Sequence, residues 1–157
     1  MANIVLTRID DRLIHGQVMT AWVHHTKGNH ILIVDDLVAQ DEFLKSIMSM
    51  SIPPNLKLDV LNEEEGIAFL KNASDDLRII VLVKTPEVVE KLVNNGIEIT
   101  ELIVGGMGAK ESREKLYKNI SASSDEKQTF KKLIEKGVKV EIQIVPENAG
   151  TDIGKYL

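Results

Sequence analysis

The chain has 157 residues, 43% of them hydrophobic and 27% charged, which is typical of one globular domain. It has no cysteine, so disulfides, thiolate metal sites and a cysteine nucleophile are excluded, and a net charge of −5 argues against nucleic-acid binding. The apolar runs are too short to span a membrane and no secretory signal is recognisable, so we expect a single cytoplasmic domain over residues 1–157.

Short apolar runs alternate along the chain with stretches of helical period. Four runs are apolar on both alternating faces, at residues 4–6, 31–34, 79–83 and 102–104. Such runs are typical of parallel strands that helices cover on both sides. Residues 57–61 are a shorter candidate strand. Residues 138–144 alternate between apolar and polar side chains, which predicts an edge strand with one buried face.

The stretches between these runs have recognisable helix signals. Apolar stripes of helical period occupy residues 18–23 and 43–48. Thr85 and Pro86 begin a third helix, and Ser123 with Glu126 forms a capping box at the start of a fourth. The alternation of strands and helices predicts an α/β fold, in which an open and mainly parallel twisted sheet has helices on both faces.

Residues 8–18 form a charged segment that reads RIDDRLIHGQV and joins the first predicted strand to the first predicted helix. Ligands of open α/β sheets bind at the carboxyl ends of the strands, so this segment is well placed for function. A charged loop can be simply solvated. Here, however, charges of both signs converge on a histidine beside a glycine at a predicted helix start, which favours a functional site.

His15 is the candidate nucleophile of this segment. A neutral imidazole can accept and return a phosphoryl group, and the amides and dipole of a helix N-terminus stabilise that group. Arg12 is suited to pair with phosphoryl oxygens, and Asp10 or Asp11 to fix the ring tautomer. The further candidates for phosphate binding or for shaping the loop are Arg8, Asp11, Gly16 and Gln17.

The segment resembles the phosphorylation-site motif of the IIB components of mannose/fructose/sorbose-type sugar phosphotransferase systems. Residues 104–107, which read VGGM, are similar to the glycine-rich turn of that family, and residues 123–126 fit its pattern too. The similarity extends over nearly the whole chain. It implies a sheet of about seven strands, with the first strand central and the last one antiparallel at the edge. We assign this last strand to residues 138–144.

The resemblance also implies a function. His15 would accept a phosphoryl group from phospho-IIA and transfer it to the sugar that the IIC and IID membrane components import. This is the activity of a protein-N(pi)-phosphohistidine–sugar phosphotransferase, and it needs no cofactor or metal. Arg12 matches the arginine required for transfer to sugar, and Asp10 matches the acid near the imidazole. Some members also have an arginine in the last strand, but residues 141–144 read EIQI and offer none.

The alternative is a response-regulator-like receiver or another phosphate-binding α/β signalling module. Asp35 and Asp36 resemble the acidic pair of a receiver, and Lys84 its lysine, but the acidic pair follows the second predicted strand instead of the first. The glycines of residues 105–108 lack the spacing of a nucleotide-binding loop. We interpret them as a tight turn.

Other features stay open or weak. A metal site made of His24, His25 and His30 is disfavoured, because adjacent helical residues point about 100° apart. Placing the first and fourth strands side by side predicts that the turn at residues 84–85 borders the active loop. The resemblance is compatible with a homodimer, although no sequence feature demands one. The sequence does not identify the sugar.

Overall fold

The computed structural model describes residues 2–157, and a seven-stranded sheet forms its centre. The strands in chain order are β1 (Asn3–Asp10), β2 (His30–Val34), β3 (Lys57–Leu61), β4 (Arg78–Val83), β5 (Glu101–Gly106), β6 (Glu114–Tyr117), β7 (Ile120–Ala122), β8 (Lys139–Ile142) and β9 (Thr151–Asp152). The main sheet has the order β3-β2-β4-β1-β5-β8-β9, while β6 and β7 form a separate antiparallel hairpin. Every pair in the main sheet is parallel except β8 and β9. The predicted fold class is therefore confirmed.

Five helices cover the two faces of the sheet. They are α1 (Gly16–Thr26), α2 (Glu42–Ser51), α3 (Glu63–Asn72), α4 (Pro86–Asn94) and α5 (Ser124–Glu135), with short 3-10 helices at Val38–Gln40 and Ile153–Tyr156. Helices α1 and α2 pack into one apolar core, and α3, α4 and α5 pack into the core on the opposite face. The central strands are buried from both sides, which explains their continuous apolar sequence.

Local capping signals agree with the observed helix ends. The predicted capping box of Ser123 and Glu126 is present at α5. Pro86 is the first residue of α4, although the Thr85 side chain makes no capping hydrogen bond. Helix α3, which the sequence analysis did not predict, begins with a second capping box of Asn62 and Glu65. Its first turn is entirely acidic, so its apolar stripe is short. Among residues 2–157, no helix combines the length and apolarity that crossing a membrane requires.

The strand assigned to residues 138–144 differs from the prediction. Strand β8 ends at Ile142, runs parallel to β5 and is not at the edge. The antiparallel edge strand is β9, a two-residue strand that pairs with β8. Alternation of apolar and polar residues shows that one face of β8 is less covered than the other. It does not determine strand direction, which follows here from the crossover through α5.

Candidate functional site

His15 is the N-cap residue of α1 and follows the loop that leaves strand β1. Its backbone has φ −149° and ψ 125°, and the helix begins at Gly16 with φ +44°. Since β1 lies between β4 and β5 in the middle of the sheet, this helix start stands at the carboxyl edge of the central strands. Ligands of open α/β sheets bind at this edge. The expected position of the histidine at a helix start is confirmed.

The two ring nitrogens of His15 have different surroundings. Nε2 is buried, lies 3.8 Å from Oδ2 of Asp10, and has no hydrogen-bond partner among residues 2–157. Nδ1 lies 3.4 Å from the carbonyl oxygen of Leu13. The side chain as a whole is 24% exposed, so the ring is accessible from outside although one nitrogen is not. Leu13, with φ +57° and a buried side chain, anchors the loop in the apolar core under α1.

Asp10 is the carboxylate beside the ring. Its side chain is 1% exposed, at the end of β1. Oδ1 accepts hydrogen bonds from the backbone N (3.0 Å) and Nε (3.1 Å) of Arg12, and Oδ2 accepts one from Nη2 of Arg12 at 3.1 Å. Of the two aspartates that the sequence analysis left open, Asp10 is therefore the one that faces His15. Arg12 holds Asp10 by two side-chain nitrogens while half of its own side chain is exposed.

Arg8 lies in strand β1, not in the loop, and its side chain is completely buried. Its guanidinium donates hydrogen bonds to the backbone carbonyls of Gln143 (2.8 Å) and Ile144 (3.0 Å), and Nη2 lies 3.6 Å from Oδ2 of Asp10. Burial lowers the pKa of Arg8 to about 10, with Asp10 acting in the opposite direction. Arg8 was expected either to bind phosphate or to shape the loop, and of these two roles phosphate binding does not fit this burial, because no surface of the guanidinium is open to a ligand.

Gly105 and Gly106 belong to strand β5, so the predicted tight turn at these residues is wrong. A Cβ atom at Gly105 would overlap the Arg8 guanidinium and come within 2.7 Å of Nε. At Gly106 it would lie 2.9 Å from Oδ1 of Asp10 and 3.2 Å from Nη2 of Arg12. The glycines therefore leave room for the charged side chains of β1 and the loop after it, which is a requirement that no local sequence pattern reveals.

Asp11 faces away from His15 toward the segment after β5. Its Oδ2 accepts a hydrogen bond of 2.7 Å from the backbone N of Gly108 and lies 3.5 Å from Nη1 of Arg113. Arg113 is buried and donates to both carboxylate oxygens of Glu126, at 2.8 and 2.7 Å. The hydrogen bond to Glu126 raises the pKa of Arg113. The sequence analysis missed Arg113, because it stands in an exposed, polar stretch and pairs with a helix cap.

The remaining candidates lie on the outside of the same edge. Gly16 and Gln17 are exposed in the first turn of α1. A Cβ atom at Gly16 would meet nothing within 4 Å, so the space beside the helix start is open. Val83, the last residue of β4, lies opposite Ile9, which places the turn at residues 84–85 next to the end of β1, as expected from adjacent strands.

The features that suggested other functions lie elsewhere. Asp35 accepts hydrogen bonds from the backbone at the start of a 3-10 helix, and Asp36 accepts one from Glu63 N at 2.8 Å. Strand β4 separates both from β1, so the acidic pair is not at the central strand as in a receiver.

His24 and His25 are exposed at the end of α1. His30 is buried on β2 and pairs with Asp59 at 2.7 Å. Asp59 is distant from His30 in the chain, so the residues next to His30 did not indicate this pair.

Comparison with known proteins agrees with this site. A family model described as "PTS system sorbose subfamily IIB component" matches residues 4–157. The chain is 33% identical to the fructose-specific EIIB component of Bacillus subtilis over 158 residues, covering 100% of this chain and 97% of that protein. It is 35% identical to the mannose-specific EIIAB component of Escherichia coli over 143 residues, covering 90% of this chain and 44% of that protein.

A crystal structure of the IIBSor domain of the sorbose permease from Klebsiella pneumoniae superimposes with a TM-score of 0.94 at 32% identity. The match covers 99% of this chain and 96% of that one. Family, sequence and fold thus coincide over almost the full length, and the receiver interpretation is wrong. The chain belongs to the sorbose subfamily of phosphotransferase-system IIB components, which are phosphotransferases of sugar transport.

Proposed function

We propose that His15 carries the phosphoryl group in this IIB component. It accepts the group from a phosphohistidine of a IIA protein and passes it to a sugar that IIC and IID membrane components present. The observation that carries the proposal is the partly exposed imidazole at the start of α1, which lies beside a buried carboxylate and a half-exposed arginine. In each transfer one bond to phosphorus breaks as another forms.

Nδ1 is the nitrogen that attacks phosphorus in this proposal. Nε2 is buried and faces Asp10, so an incoming phosphoryl group cannot reach it. A carboxylate on that side favours the tautomer with the proton on Nε2, which leaves the Nδ1 lone pair free. The contact of Nδ1 with the Leu13 carbonyl is long, at 3.4 Å, and gives way to the phosphoryl group.

Arg12 and the start of α1 stabilise the transferred group. The Arg12 guanidinium is half exposed and can leave Asp10 for the phosphoryl oxygens, with which it makes two charge-assisted hydrogen bonds. The free amides of the first helical turn and the helix dipole add favourable charge. The open space beside Gly16 admits the phosphoryl group, and the exposed Gln17 lies in the same turn.

The proposed partners follow from the family. The mannose-specific relative of Escherichia coli is an EIIAB component, which supports a IIA protein as the phosphoryl donor. We place the chain on the cytoplasmic side of the membrane, where it meets IIC and IID at the periphery. A homodimer stays a prediction.

The test is a phosphorylation assay with labelled phosphoenolpyruvate, the general phosphotransferase proteins and a IIA protein of the same subfamily. Acid-labile label is expected on the wild type and on the His24→Ala variant, which loses an exposed histidine nine positions after His15. No label is expected on His15→Ala. Label on His15→Ala equal to that of the wild type contradicts the proposal.

A further inference from the structure

The proposed function gives no role to Arg8, although this arginine lies in the central strand with no exposed surface. Its two hydrogen-bonded partners, the carbonyls of Gln143 and Ile144, are neutral, and the ion pair recorded for it is with Asp10, at 3.6 Å. A buried cation is unfavourable unless it is paired, and replacement by apolar side chains often stabilises a protein. The presence of this arginine therefore calls for a function other than stability.

Three segments of the chain enclose the Arg8 guanidinium: α1, strand β5 and the segment after β8. The ring of Trp22 on α1 lies 5.2 Å from it, and Gly105 on β5 leaves the space that it fills. Nε1 of Trp22 donates to the carbonyl of Ile144, the same oxygen that accepts from Arg8. The side chain is consequently held in place by the sheet, by α1 and by the segment after β8.

Arg12 contacts the same carboxylate but has the opposite character. It makes shorter contacts to Asp10 than Arg8 does, yet half of its side chain is exposed and it belongs to a loop. An arginine that turns toward a phosphoryl group on His15 must give up part of its contact with Asp10. At that moment Asp10 would be a buried carboxylate with fewer partners, and Arg8 is the cation that cannot leave it.

We infer that Arg8 is a positioning residue: the fixed counter-ion that holds the Asp10 carboxylate against Nε2 of His15 while Arg12 moves between Asp10 and the phosphoryl group. The inference rests on the proposed function. Arg8 touches neither substrate nor phosphoryl group and acts only through Asp10. Its effect is on the tautomer of the His15 ring, because a displaced Asp10 no longer favours the proton on Nε2.

The test compares Arg8→Met, Arg8→Lys and Gly105→Ala with the wild type. Arg8→Met removes the charge, Arg8→Lys keeps a cation, and Gly105→Ala keeps every charge but forces the guanidinium to move. Arg78→Met is the matched control, since Arg78 is exposed at the opposite end of the sheet. Amide NMR spectra identify the variants that fold. If Arg8→Met does not fold, Gly105→Ala and Arg8→Lys provide the test.

Two measurements are made on each folded variant. The ¹⁵N shifts of the His15 imidazole report the tautomer in the unphosphorylated protein, and the labelling assay reports the rate of phosphorylation. We expect the Nε2–H tautomer to dominate in the wild type and in Arg78→Met. Arg8→Met and Gly105→Ala should show both tautomers and a phosphorylation rate that is about 10-fold lower than that of the wild type. In Arg8→Lys we expect the tautomer and the rate to recover in part.

Wild-type shifts and wild-type rates in Gly105→Ala, and in Arg8→Met where it folds, overturn the inference, because Arg8 then has only a structural role. Absence of label on the wild-type His15 is a different outcome and overturns the proposed function itself. The imidazole shifts are measured without any phosphoryl donor, so the two failures are distinguishable.

Discussion

Two arginines four positions apart in the chain contact one carboxylate and differ in how much they can move. Arg8 is enclosed by the sheet and α1, whereas Arg12 is half exposed. Only the exposed arginine can follow a phosphoryl group as it arrives and departs. Charge alone therefore does not identify the functional residue in the segment; the exposure of each side chain does.

Replacement of Arg12 by Gln should separate the two transfer steps. The sugar step needs positive charge as the phosphoryl group leaves His15, so we expect sugar phosphorylation to slow by about 100-fold. Labelling of His15 by phospho-IIA should persist. Membrane vesicles that contain IIC and IID, supplied with the phosphorylated variant, measure the sugar step. Arg78→Gln is the matched control, and equal rates for Arg12→Gln and the wild type would show that Arg12 is not required.

At the scale of elements, a buried ion pair connects α5 with the segment that follows β5. Glu126 closes the capping box of α5 and also accepts two hydrogen bonds from Arg113, which in turn reaches Asp11. A helix cap is in this way linked to the loop that carries His15. The sequence reveals the capping box, whereas the partner 13 positions away appears only in the fold.

Glu126→Gln should destabilise the protein by about 3 kcal/mol, because it removes the carboxylate that accepts two hydrogen bonds from buried Arg113 and leaves only the longer contact to Asp11. Urea unfolding at pH 7 measures the change. Asp125→Asn is the matched control, since it removes an exposed acid from the same helical turn and should cost about 0.5 kcal/mol. Similar losses in the two variants would mean that the pair with Arg113 contributes little.

The ion pair of Arg113 and Glu126 makes the free energy of unfolding depend on pH, and the sign of this dependence follows from the pKa of Glu126. Burial alone would raise the pKa of Glu126, but hydrogen bonds from Arg113 and Ser123 outweigh it and leave the pKa below its ordinary value of 4.5. A carboxylate with a lowered pKa stabilises the fold above that ordinary value and loses this contribution as the pH falls through the lowered pKa. The stability difference between the wild type and Glu126→Gln should therefore shrink below pH 4.5, and a constant difference down to acid unfolding would contradict the assignment.

At the scale of the whole molecule, one sheet serves two apolar cores. Strands β2 and β4 have buried side chains on both faces, so neither core can form without the sheet that the other also needs. Trp22, the single tryptophan, packs in the core under α1 and α2. Its emission therefore reports one face of the sheet, while circular dichroism reports the helices of both faces.

We predict that the chain unfolds as one cooperative unit, which is the behaviour of a single domain over residues 1–157. Urea transitions followed by Trp22 fluorescence and by far-ultraviolet circular dichroism should coincide. The same urea transitions, measured at several protein concentrations, provide the control for association. Two separated transitions would show that the faces unfold independently, and the expectation of one domain would then be wrong.

Much of the fold could be predicted because its signals are local. Buried parallel strands have continuous apolar sequences, and the capping box at α5 lies within four residues. The two misassigned segments depend instead on distant partners. The direction of β8 follows from its crossover through α5, and strand β5 has a glycine at position 105 because the Arg8 side chain of the neighbouring strand occupies the space that a Cβ atom would need.

The sequence by itself determined the family, the fold class and the position of His15 at a helix start, because each depends on residues that are close together in the chain. Only the tertiary structure decided which aspartate faces the imidazole and which arginine is free to move. Arg8 is fixed by carbonyls 135 and 136 positions away, and Asp11 by an amide 97 positions away. Such contacts exist only after the strands have come together, so no local pattern can encode them.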